Sequence, residues 1–232
     1  MFSYLLLNFV YLVLYSKKMQ KDLGNYRKTY EKSALTEASI SDNPMQLFQK
    51  WFYETEASEG IDEPNAMTVA TMGLDGFPKS RVVLLKKYTY EGFIFYTNYD
   101  SEKGKAIAQN PNVCLSFFWP TLERQIIIKG KAEKIAENLS DGYFDSRPEG
   151  SKLGAIVSDQ SSVIPSREIL EKKLKDLEIA YQSKEIKRPD NWGGYIVKPI
   201  SMEFWQGRPN RLHDRIRYSL DYLDWKIERL AP

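Results

Sequence analysis

The chain has 232 residues, of which 42% are hydrophobic and 28% are charged. Its 33 Lys and Arg residues nearly balance its 31 Asp and Glu residues, which leaves a net charge of +2. This composition predicts a folded protein with a sizeable core, and it excludes a disordered chain and a surface covered with positive charge for nucleic acid. The one cysteine, Cys114, excludes an internal disulfide and a cysteine-based metal site; it lies in an apolar run, where we predict a small core residue, and favours a reducing, cytoplasmic setting.

Residues 1–18 are predicted to lie apart from the rest of the chain. Their apolar run from Phe2 to Tyr15 is shorter than the roughly 20 residues that span a bilayer. Lys17 and Lys18 follow this run, and no small-residue cleavage pattern is present, so neither a spanning helix nor a signal peptide is predicted. Two alternatives stay open: an extension outside the fold, or an interfacial anchor.

From Asp42 onwards the sequence has the patterns of helices and strands. Asn43 and Pro44 predict a helix start, and apolar residues then recur at helical spacing: Met45, Leu47, Phe48, Trp51 and Phe52. Apolar runs separated by turn residues predict a meander of strands at AMTVATM, SRVVLLKKY, FIFYTN, PNVCLSFFW and RQIIIKGKAEKI. A short helix, SEKGKAIAQN, is predicted between the third and the fourth of these runs.

The second half adds one long helix and more strands. SREILEKKLKDLEIAY predicts a helix whose packing face carries Ile169, Leu170, Leu174, Leu177 and Tyr181. Further strands are predicted at GGYIVKP, ISMEFWQG, RIRYSL and WKIERL. Consecutive strands with short turns, decorated by helices, predict an α+β fold, mainly antiparallel β, with a barrel at its centre. Neither G-x-G-x-x-G nor G-x-x-x-x-G-K-[ST] occurs, so side chains are expected to hold any phosphate.

Two short stretches carry side chains suited to an anion. Arg81 and Lys86 begin and end RVVLLK, and five residues apart on a strand they would point to opposite faces and serve two neighbouring ligands. In YFDSRPEGS, Tyr143 and Arg147 would share one helical face, with Ser151 at the following turn, a set that suits a phosphate monoester. Taken alone, each stretch also fits a structural role, as charges beside a strand or as a helix end.

The stretch EFWQGRPNRLHDR contains the only histidine of the chain. His213 lies between Arg211 and Arg215, and Arg208 and Trp205 precede it. A lone histidine beside an aspartate is often an ordinary surface residue. Three arginines and a tryptophan nevertheless form a planar, cationic, hydrogen-bonding set, which suits a flat anionic ligand.

Taken together and in order, these segments resemble one family, the pyridoxine (pyridoxamine) 5'-phosphate oxidases. The resemblance covers Arg27 to Pro232 and rests on YRKTYEKSAL, NPMQLFQKWF, SRVVLLK, FYTN, FFWPTLERQIIIKGKAEK, YFDSRPEGSKLGAIVSDQSS, NWGGYIV, EFWQGRPNRLHDR and RLAP. It implies an FMN-binding split barrel and a homodimer with flavin at the subunit interface. It also implies vitamin B6 cofactor biosynthesis: O2 oxidises pyridoxine 5'-phosphate and pyridoxamine 5'-phosphate to pyridoxal 5'-phosphate, with release of H2O2 and, from the amine, NH3.

The resemblance also implies which residues bind. The residues matched to FMN binding are Arg81, Val82, Val83, Leu84, Leu85, Lys86, Tyr96, Thr97, Lys103, Gln125, Gln160, Ser161, Trp192 and Arg215. Those matched to the substrate are Arg27, Tyr30, Lys86, Tyr143, Arg147, Ser151, Arg211, Leu212 and His213. Arg211 and His213 are the implied catalytic residues, and the sequence leaves open whether His213 takes a proton or only positions the substrate.

The same resemblance divides the chain and leaves two other functions to weigh. Residues 19–41 match a segment that folds over the active site, and residues 42–232 match a single FMN-binding domain. The alternatives are a split-barrel flavin reductase with a nicotinamide or deazaflavin donor, and a non-catalytic carrier of flavin or pyridoxal phosphate. The phosphate-binding set around Arg147 argues against the first, and the presence of both Arg211 and His213 argues against the second.

Glu102 departs from the family pattern, in which an arginine usually meets the FMN phosphate together with the following lysine. One hypothesis is that the Glu102 carboxylate lies near the phosphate and repels it. The other is that Glu102 turns outward at the start of a short helix, where a negative charge suits the helix dipole, and that Lys105 supplies the cation.

Overall fold

A computed structural model describes residues 21–182 and 184–232 of the chain. These residues belong to two compact units, one that ends at Tyr30 and one that spans Glu31–Pro232. The predicted apolar extension, residues 1–18, lies outside the described residues. The division into residues 19–41 and 42–232 stays a prediction.

The larger unit contains five α-helices and nine strands within its described residues. The helices are α1 (Pro44–Glu56), α2 (Glu102–Gln109), α3 (Glu137–Asp145), α4 (Glu149–Val157) and α5 (Arg167–Tyr181). The strands are β1 (Ala66–Met72), β2 (Pro78–Leu84), β3 (Lys87–Thr89), β4 (Gly92–Asn98), β5 (Asn112–Trp119), β6 (Arg124–Lys134), β7 (Trp192–Gln206), β8 (Asp214–Asp221) and β9 (Asp224–Arg229).

These nine strands form one antiparallel sheet. Its order is β2-β1-β5-β6-β7-β4-β3, and β8 and β9 extend it from β7. The first part of β7, from Trp192 to Val197, pairs with β4, and its last part, from Ser201 to Gln206, pairs with β8. Strand β6 lies along the other side of β7. The predicted α+β fold, mainly antiparallel β, is confirmed.

Helix α1 packs its apolar face onto the inner face of the sheet. It begins as predicted: the Asn43 side chain accepts the Met45 N–H at 2.8 Å, and Pro44 takes the first helical position. The Phe48 ring lies 4.8 Å from the Phe93 ring, centroid to centroid. Burying a side chain of this kind contributes about 1.5–3 kcal/mol, and the buried residues of this helix include Met45, Leu47, Phe48, Trp51 and Phe52.

Strand boundaries differ from the prediction at two places. GGYIVKP and ISMEFWQG form one strand, β7, because Pro199 lies opposite Gly130 beside a β-bulge, where a strand tolerates the missing N–H. SRVVLLKKY forms two strands, β2 and β3. The chain leaves its pairing with β1 after Leu84, and the Lys86 N–H donates to the Ile94 carbonyl of β4.

Cys114 is not a core residue. It lies on the face of β5 opposite to the buried Val113 and Leu115 and is only half-buried. The apolar run around Cys114 therefore concealed the alternation of inner and outer faces along the strand. Burial of the thiol still raises the pKa of Cys114.

Helix α5 packs as predicted, though incompletely. Leu174, Leu177 and Tyr181 pack against a second cluster of buried side chains, formed by Phe144, Leu153, Ile186 and Trp192. Ile169, assigned to the same face, is 37% exposed. This second cluster lies beside the cavity described next, because Trp192 belongs to both.

Candidate active site

The larger unit contains a cavity of about 740 Å³. Strands β2 and β4, the start of β7, and helices α2, α3 and α4 supply its lining. The cavity brings together these residues from the predicted site: Arg81, Val82, Val83, Leu84, Lys86, Tyr96, Thr97, Lys103, Tyr143, Arg147, Ser151, Gln160 and Trp192. Arg81 and Lys86 line the same cavity, because β2 ends at Leu84 and strand alternation does not extend to Lys86.

Helix α2 places Lys103 at one end of this cavity. The Ser101 side chain caps the start of this helix. Glycine at position 104 lets the helix pack closely against the backbone of Tyr99, since a Cβ there would lie 2.1 Å from the Tyr99 carbonyl oxygen. The buried Lys103 Nζ donates to Gln160 Oε1 at 2.8 Å and to Thr97 Oγ1 at 3.2 Å. These acceptors are neutral, so they do not compensate the ammonium charge.

The cations of the cavity are held without carboxylate partners. Within residues 21–182 and 184–232, no salt bridge is formed by Arg81, Lys86, Lys103 or Arg147. Burial lowers the pKa of Lys103 to about 8, with a further contribution from nearby Arg81. Burial also lowers the pKa values of Arg81 and Arg147. An anion in the cavity would reverse these shifts, because an opposite charge favours the protonated forms.

Three aromatic rings form a wall of the cavity. The Tyr96 ring stacks on the Tyr143 ring with centroids 3.8 Å apart, and Trp192 lies nearly parallel to both. The Arg147 guanidinium lies 4.6 Å from the Trp192 ring centroid. Its Nη1 is buried and has no hydrogen-bond partner among the described residues, which marks a donor left available for a ligand.

The turn between α3 and α4 positions Arg147 and Ser151. Helix α3 ends at Asp145 and Pro148 caps α4, so Ser151, expected at a turn, lies in the first turn of α4. Helix α4 was not predicted, because the two glycines of EGSKLGAIV weaken its helical signal. The cavity residues of this helix and its flanks were therefore not predicted either: Pro148, Gly154, Ala155 and Ser158. Asn98, at the end of β4, is a further cavity residue that was not predicted. Positions three, four and seven residues after Ser151 share one helical face, and this spacing is the signal that identifies Gly154, Ala155 and Ser158.

Nine predicted site residues do not line this cavity. Leu85 is buried in the core, and Ser161 lies nearby, where its Oγ accepts the Glu102 N–H at 3.3 Å. Arg27 and Tyr30 belong to the unit that ends at Tyr30; there Arg27 Nε donates to the Gly24 carbonyl at 3.1 Å. The predicted roles of Arg27 and Tyr30 stay predictions. The other five are Gln125, Arg211, Leu212, His213 and Arg215.

These five lie around the other end of β7. Gln125 on β6 is opposite Trp205, and Trp205 is opposite Arg215 on β8, so the three residues form a row across the sheet. The His213 ring contacts the Trp205 ring at 4.7 Å between centroids. Arg215 Nε donates to Glu203 Oε1 at 2.8 Å, and its Nη1 donates to the Ala231 carbonyl at 2.8 Å.

The loop before β8, residues 207–213, is called the histidine loop below. Asn210 and Arg211 both adopt left-handed backbone conformations, with φ of 57° and 62°. Non-glycine residues rarely adopt this conformation without support from their surroundings. Arg211 and Leu212 are exposed, whereas His213 is half-buried.

Glu102 turns away from the cavity and forms an ion pair. Its Oε2 lies 2.5 Å from Lys79 Nζ on β2, and neither residue is part of the cavity lining. Its charge nevertheless acts at short range, since it raises the pKa of both Arg81 and Lys103 against the larger effect of burial. Lys105 is exposed and also lies outside the lining. Lys79 is the neighbour of Glu102 that sequence reasoning did not identify.

Residues 21–182 and 184–232 contain neither a candidate membrane-spanning helix nor a candidate metal-binding group. No helix there has the length and apolar character to cross a membrane. No group of three or more His, Cys, Asp or Glu side chains there is arranged to hold a metal ion.

Comparison with known proteins finds close relatives. The family model described as pyridoxamine 5'-phosphate oxidase matches residues 53–180, and the pyridoxine 5'-phosphate oxidase C-terminal dimerisation region matches residues 192–232. The chain is 73% identical over 214 residues to a Flavobacterium psychrophilum protein named pyridoxine/pyridoxamine 5'-phosphate oxidase, with 91% of this chain and 100% of the relative covered.

Two solved structures are similar. PhzG from Burkholderia lata, in complex with tetrahydrophenazine-1-carboxylic acid, is 29% identical with a TM-score of 0.80, covering 86% of this chain and 98% of that one. A pyridoxamine 5'-phosphate oxidase-related, FMN-binding protein from Nostoc punctiforme is 15% identical with a TM-score of 0.65, covering 83% and 100%. The second likeness concerns the fold alone, and together they confirm the predicted split barrel.

Proposed function

Because this chain belongs to the pyridoxine/pyridoxamine 5'-phosphate oxidase family and is therefore an oxidoreductase, we propose that it oxidises pyridoxine 5'-phosphate and pyridoxamine 5'-phosphate to pyridoxal 5'-phosphate. FMN is the proposed cofactor and O2 the proposed electron acceptor, with H2O2 as a product and NH3 released from the amine. The proposal places the enzyme in vitamin B6 cofactor biosynthesis and salvage. The single cysteine favours a cytoplasmic location.

The cavity is the observation that carries this proposal. Its volume of about 740 Å³ is in the range of pockets that hold cofactors and substrates. Its cations form two groups: Arg81 influences the pKa of Lys103, whereas Arg147 lies beside Tyr143 and Trp192. Two groups suit two phosphates, one on the cofactor and one on the substrate.

The residues present fit FMN. We assign the FMN phosphate to Arg81 and Lys103, whose charges have no carboxylate partner among the described residues. We assign the substrate phosphate to Lys86, Tyr143, Arg147 and Ser151, because the buried Arg147 Nη1 lacks an acceptor within the described chain. When bound, FMN supplies a flavin ring that accepts two electrons and a hydrogen from the C4' carbon of the substrate.

The contribution of the protein is mainly orientation. Each phosphate is held by its own cations, and this fixes the positions of cofactor and substrate relative to each other. The reaction between them is then effectively unimolecular, which lowers its entropic cost. The aromatic wall of Tyr96, Tyr143 and Trp192 keeps water from one side of the cavity. In a region with less water, the charges of Arg81 and Arg147 act more strongly.

We further propose that the complete site is shared between two chains. Trp192, at the start of β7, lines the cavity. His213 contacts Trp205, near the end of the same strand. At ~3.3 Å per residue, the path along β7 from Trp192 to Trp205 is roughly 40 Å long. One chain therefore presents the cavity and the histidine loop at opposite ends of β7. The match of residues 192–232 to a dimerisation region supports a homodimer in which the loop of one chain completes the cavity of the other.

The outer face of the sheet supports the same proposal. Val82, which also lines the cavity, is 68% exposed, and Phe118 in the row of Gln125 and Trp205 is 57% exposed. Exposed apolar side chains on one sheet face are typical of a surface that a partner covers. A second copy of the chain on this face would bury both residues.

The activity is tested by adding pyridoxine 5'-phosphate in air to the purified protein and measuring aldehyde and H2O2. We expect a yellow, dimeric protein that forms the two products in equal amounts. Unphosphorylated pyridoxine is the control, and it should react much more slowly, because it lacks the group that Arg147 is proposed to hold. A protein that does not bind FMN, or that forms no aldehyde, would contradict the proposal.

The shared site is tested by complementation. Chains carrying Arg147→Ala and chains carrying His213→Ala are co-expressed with different tags, and the mixed dimer is isolated. If each site combines one cavity with the loop of the other chain, the mixed dimer has one intact site and about half the wild-type turnover. Rates are compared at a substrate concentration near the wild-type KM, where both parent variants are expected to be slow. If each site lies within one chain, every site carries a defect, and the mixed dimer is no faster than its parents.

A further inference from the structure

The hydrogen bonding of His213 defines which of its ring nitrogens carries the proton. The backbone N–H of Arg208 donates to His213 Nδ1 at 3.1 Å. A backbone amide can only donate, so this contact requires a lone pair on Nδ1. In a neutral imidazole with a lone pair on Nδ1, the proton is on Nε2.

The histidine loop holds this amide in place from both sides. The Gly207 N–H donates to the Glu123 carbonyl at 2.7 Å, and Arg208 Nη1 donates to the Ser33 carbonyl at 3.0 Å. The Arg208 guanidinium also lies 3.5 Å from Asp214 Oδ2. Anchored through its backbone neighbour and its side chain, Arg208 keeps its N–H directed at the histidine ring.

Asp214 links the same loop to the rest of the fold. Its Oδ2 accepts the Leu35 N–H at 3.0 Å, and its Oδ1 accepts from Arg229 Nη1 at 2.8 Å. Both Asp214 oxygens thus accept hydrogen bonds from groups that hold the loop, and the contact at His213 Nδ1 is made by the Arg208 N–H. The Asp214 carboxylate holds the loop, and a backbone amide orients the ring.

We infer that His213 is held as the Nε2–H tautomer and acts in the site as a hydrogen-bond donor, not as the base that takes a proton from the substrate. The part concerning substrate rests on the proposed function. Arg208 is then a positioning residue, because its backbone amide selects the tautomer. The proposed substrates offer two acceptors for an Nε2–H donor, namely the oxygen attached to C3 of the pyridine and the ring nitrogen. The proton lost from the C4' hydroxyl then passes to water, since the Nδ1 lone pair is already used.

The tautomer is tested directly by NMR on the full-length holoenzyme labelled with 15N-histidine. Because the chain has one histidine, the spectrum contains one pair of ring nitrogens and needs no assignment by mutation. The spectrum is recorded at a pH high enough for the imidazole to be neutral. We expect a one-bond 15N–1H coupling at Nε2, and at Nδ1 the 15N chemical shift of an unprotonated nitrogen. A proton on Nδ1 would overturn the inference. This readout does not depend on oxidase activity, so it remains decisive even if the proposed function fails.

The role as donor is tested by two substitutions of opposite chemistry. His213→Gln places an amide NH2 near the position of Nε2 and keeps a donor, whereas His213→Glu keeps a base and removes the donor. We expect His213→Gln to retain turnover within about tenfold of wild type and His213→Glu to lose about 100-fold or more, in the range of a lost catalytic contact. Equal FMN absorbance in both variants is the control for folding. If His213→Glu is the more active of the two, His213 acts as a base and the inference is wrong.

Discussion

Charged side chains lack ion pairs in the cavity and are paired around the histidine loop. Within the described residues, Arg81, Lys103 and Arg147 form no salt bridge. Burial lowers the pKa of each of these side chains, and no ion pair in the described chain offsets this effect. Around the loop, by contrast, Asp214 pairs with Arg208 and Arg229, and Arg215 pairs with Glu203. The cavity thus keeps its positive charge for a ligand, whereas the loop uses its charges to hold a backbone conformation.

Arg211 is the exception within the loop, and it indicates what the loop is for. It is exposed and forms no salt bridge with any part of the described chain, and its backbone is left-handed with φ of 62°. The ion pairs of its neighbours therefore support a strained turn that presents Arg211 beside His213. We interpret the cavity as the binding half of the site and the loop as the half that meets the substrate ring.

The largest expected effect comes from removing the presented side chains of the loop. Arg211→Ala combined with His213→Ala should lower kcat by about 100-fold or more, because both side chains are proposed to meet the substrate. FMN should remain bound, since the cavity is unchanged. Visible absorbance after gel filtration measures retention of FMN. Parallel loss of FMN and activity would show that the loop contributes to binding of the cofactor and would end the division into two halves.

The second prediction concerns Arg147, whose buried Nη1 has no hydrogen-bond partner among the described residues. Arg147→Ala should raise KM for pyridoxine 5'-phosphate by about 10- to 100-fold, because hydrogen bonds to a charged group contribute about 1.5–3 kcal/mol. Arg167→Ala is the matched control: Arg167 is exposed on α5 and pairs with Glu171 at 2.8 Å, so KM should not change. An unchanged KM in the Arg147 variant would remove this residue from the phosphate site.

The third prediction follows from the lowered pKa of Lys103, which is about 8 in the cavity. As pH rises through this value, free Lys103 loses its proton, and binding of a phosphate must then include uptake of a proton. The Kd for FMN should therefore rise by up to about tenfold between pH 8 and pH 9. Lys103→Met should bind FMN more weakly at pH 7 and lose this pH dependence. Fluorescence quenching of FMN measures both, and riboflavin, which lacks the phosphate, should be insensitive to the substitution.

The smallest effect tests the ion pair just outside the cavity. Lys79→Met should weaken FMN binding by about 1 kcal/mol or less at low salt, because it leaves the Glu102 charge uncompensated near Arg81 and Lys103. Glu102→Gln should tighten binding, and the double variant should lie near wild type.

Glu102→Arg should tighten binding further, by on the order of 1 kcal/mol, and the gain should shrink as salt rises. If Glu102→Arg leaves FMN affinity unchanged at low salt, repulsion by Glu102 is excluded, and Lys105→Ala becomes the variant expected to weaken binding.

Most elements were predicted because their signals are local. The strand AMTVATM is β1 from Ala66 to Met72, and helix α1 begins after Asn43 as its capping pattern indicates. Where strand boundaries differed from the prediction, contacts between distant residues decided them. Strand β2 ends at Leu84, because the Lys86 N–H donates to the Ile94 carbonyl of β4. Strand β7 continues through Pro199, because Pro199 lies opposite Gly130 beside a β-bulge in β6. Neither partner can be read from the segment itself.

The site divides in the same way. Residue types suited to phosphate, and a single histidine among arginines, are visible in the sequence, as is the resemblance that orders them into one family. Tertiary structure decided that Arg81, Lys103 and Arg147 share one cavity, that Glu102 pairs with Lys79, and that an amide donates to His213 Nδ1. The physical reason is that local patterns encode periodicity and capping, whereas the pairing of charges and the choice of a tautomer depend on the register between strands far apart in the chain.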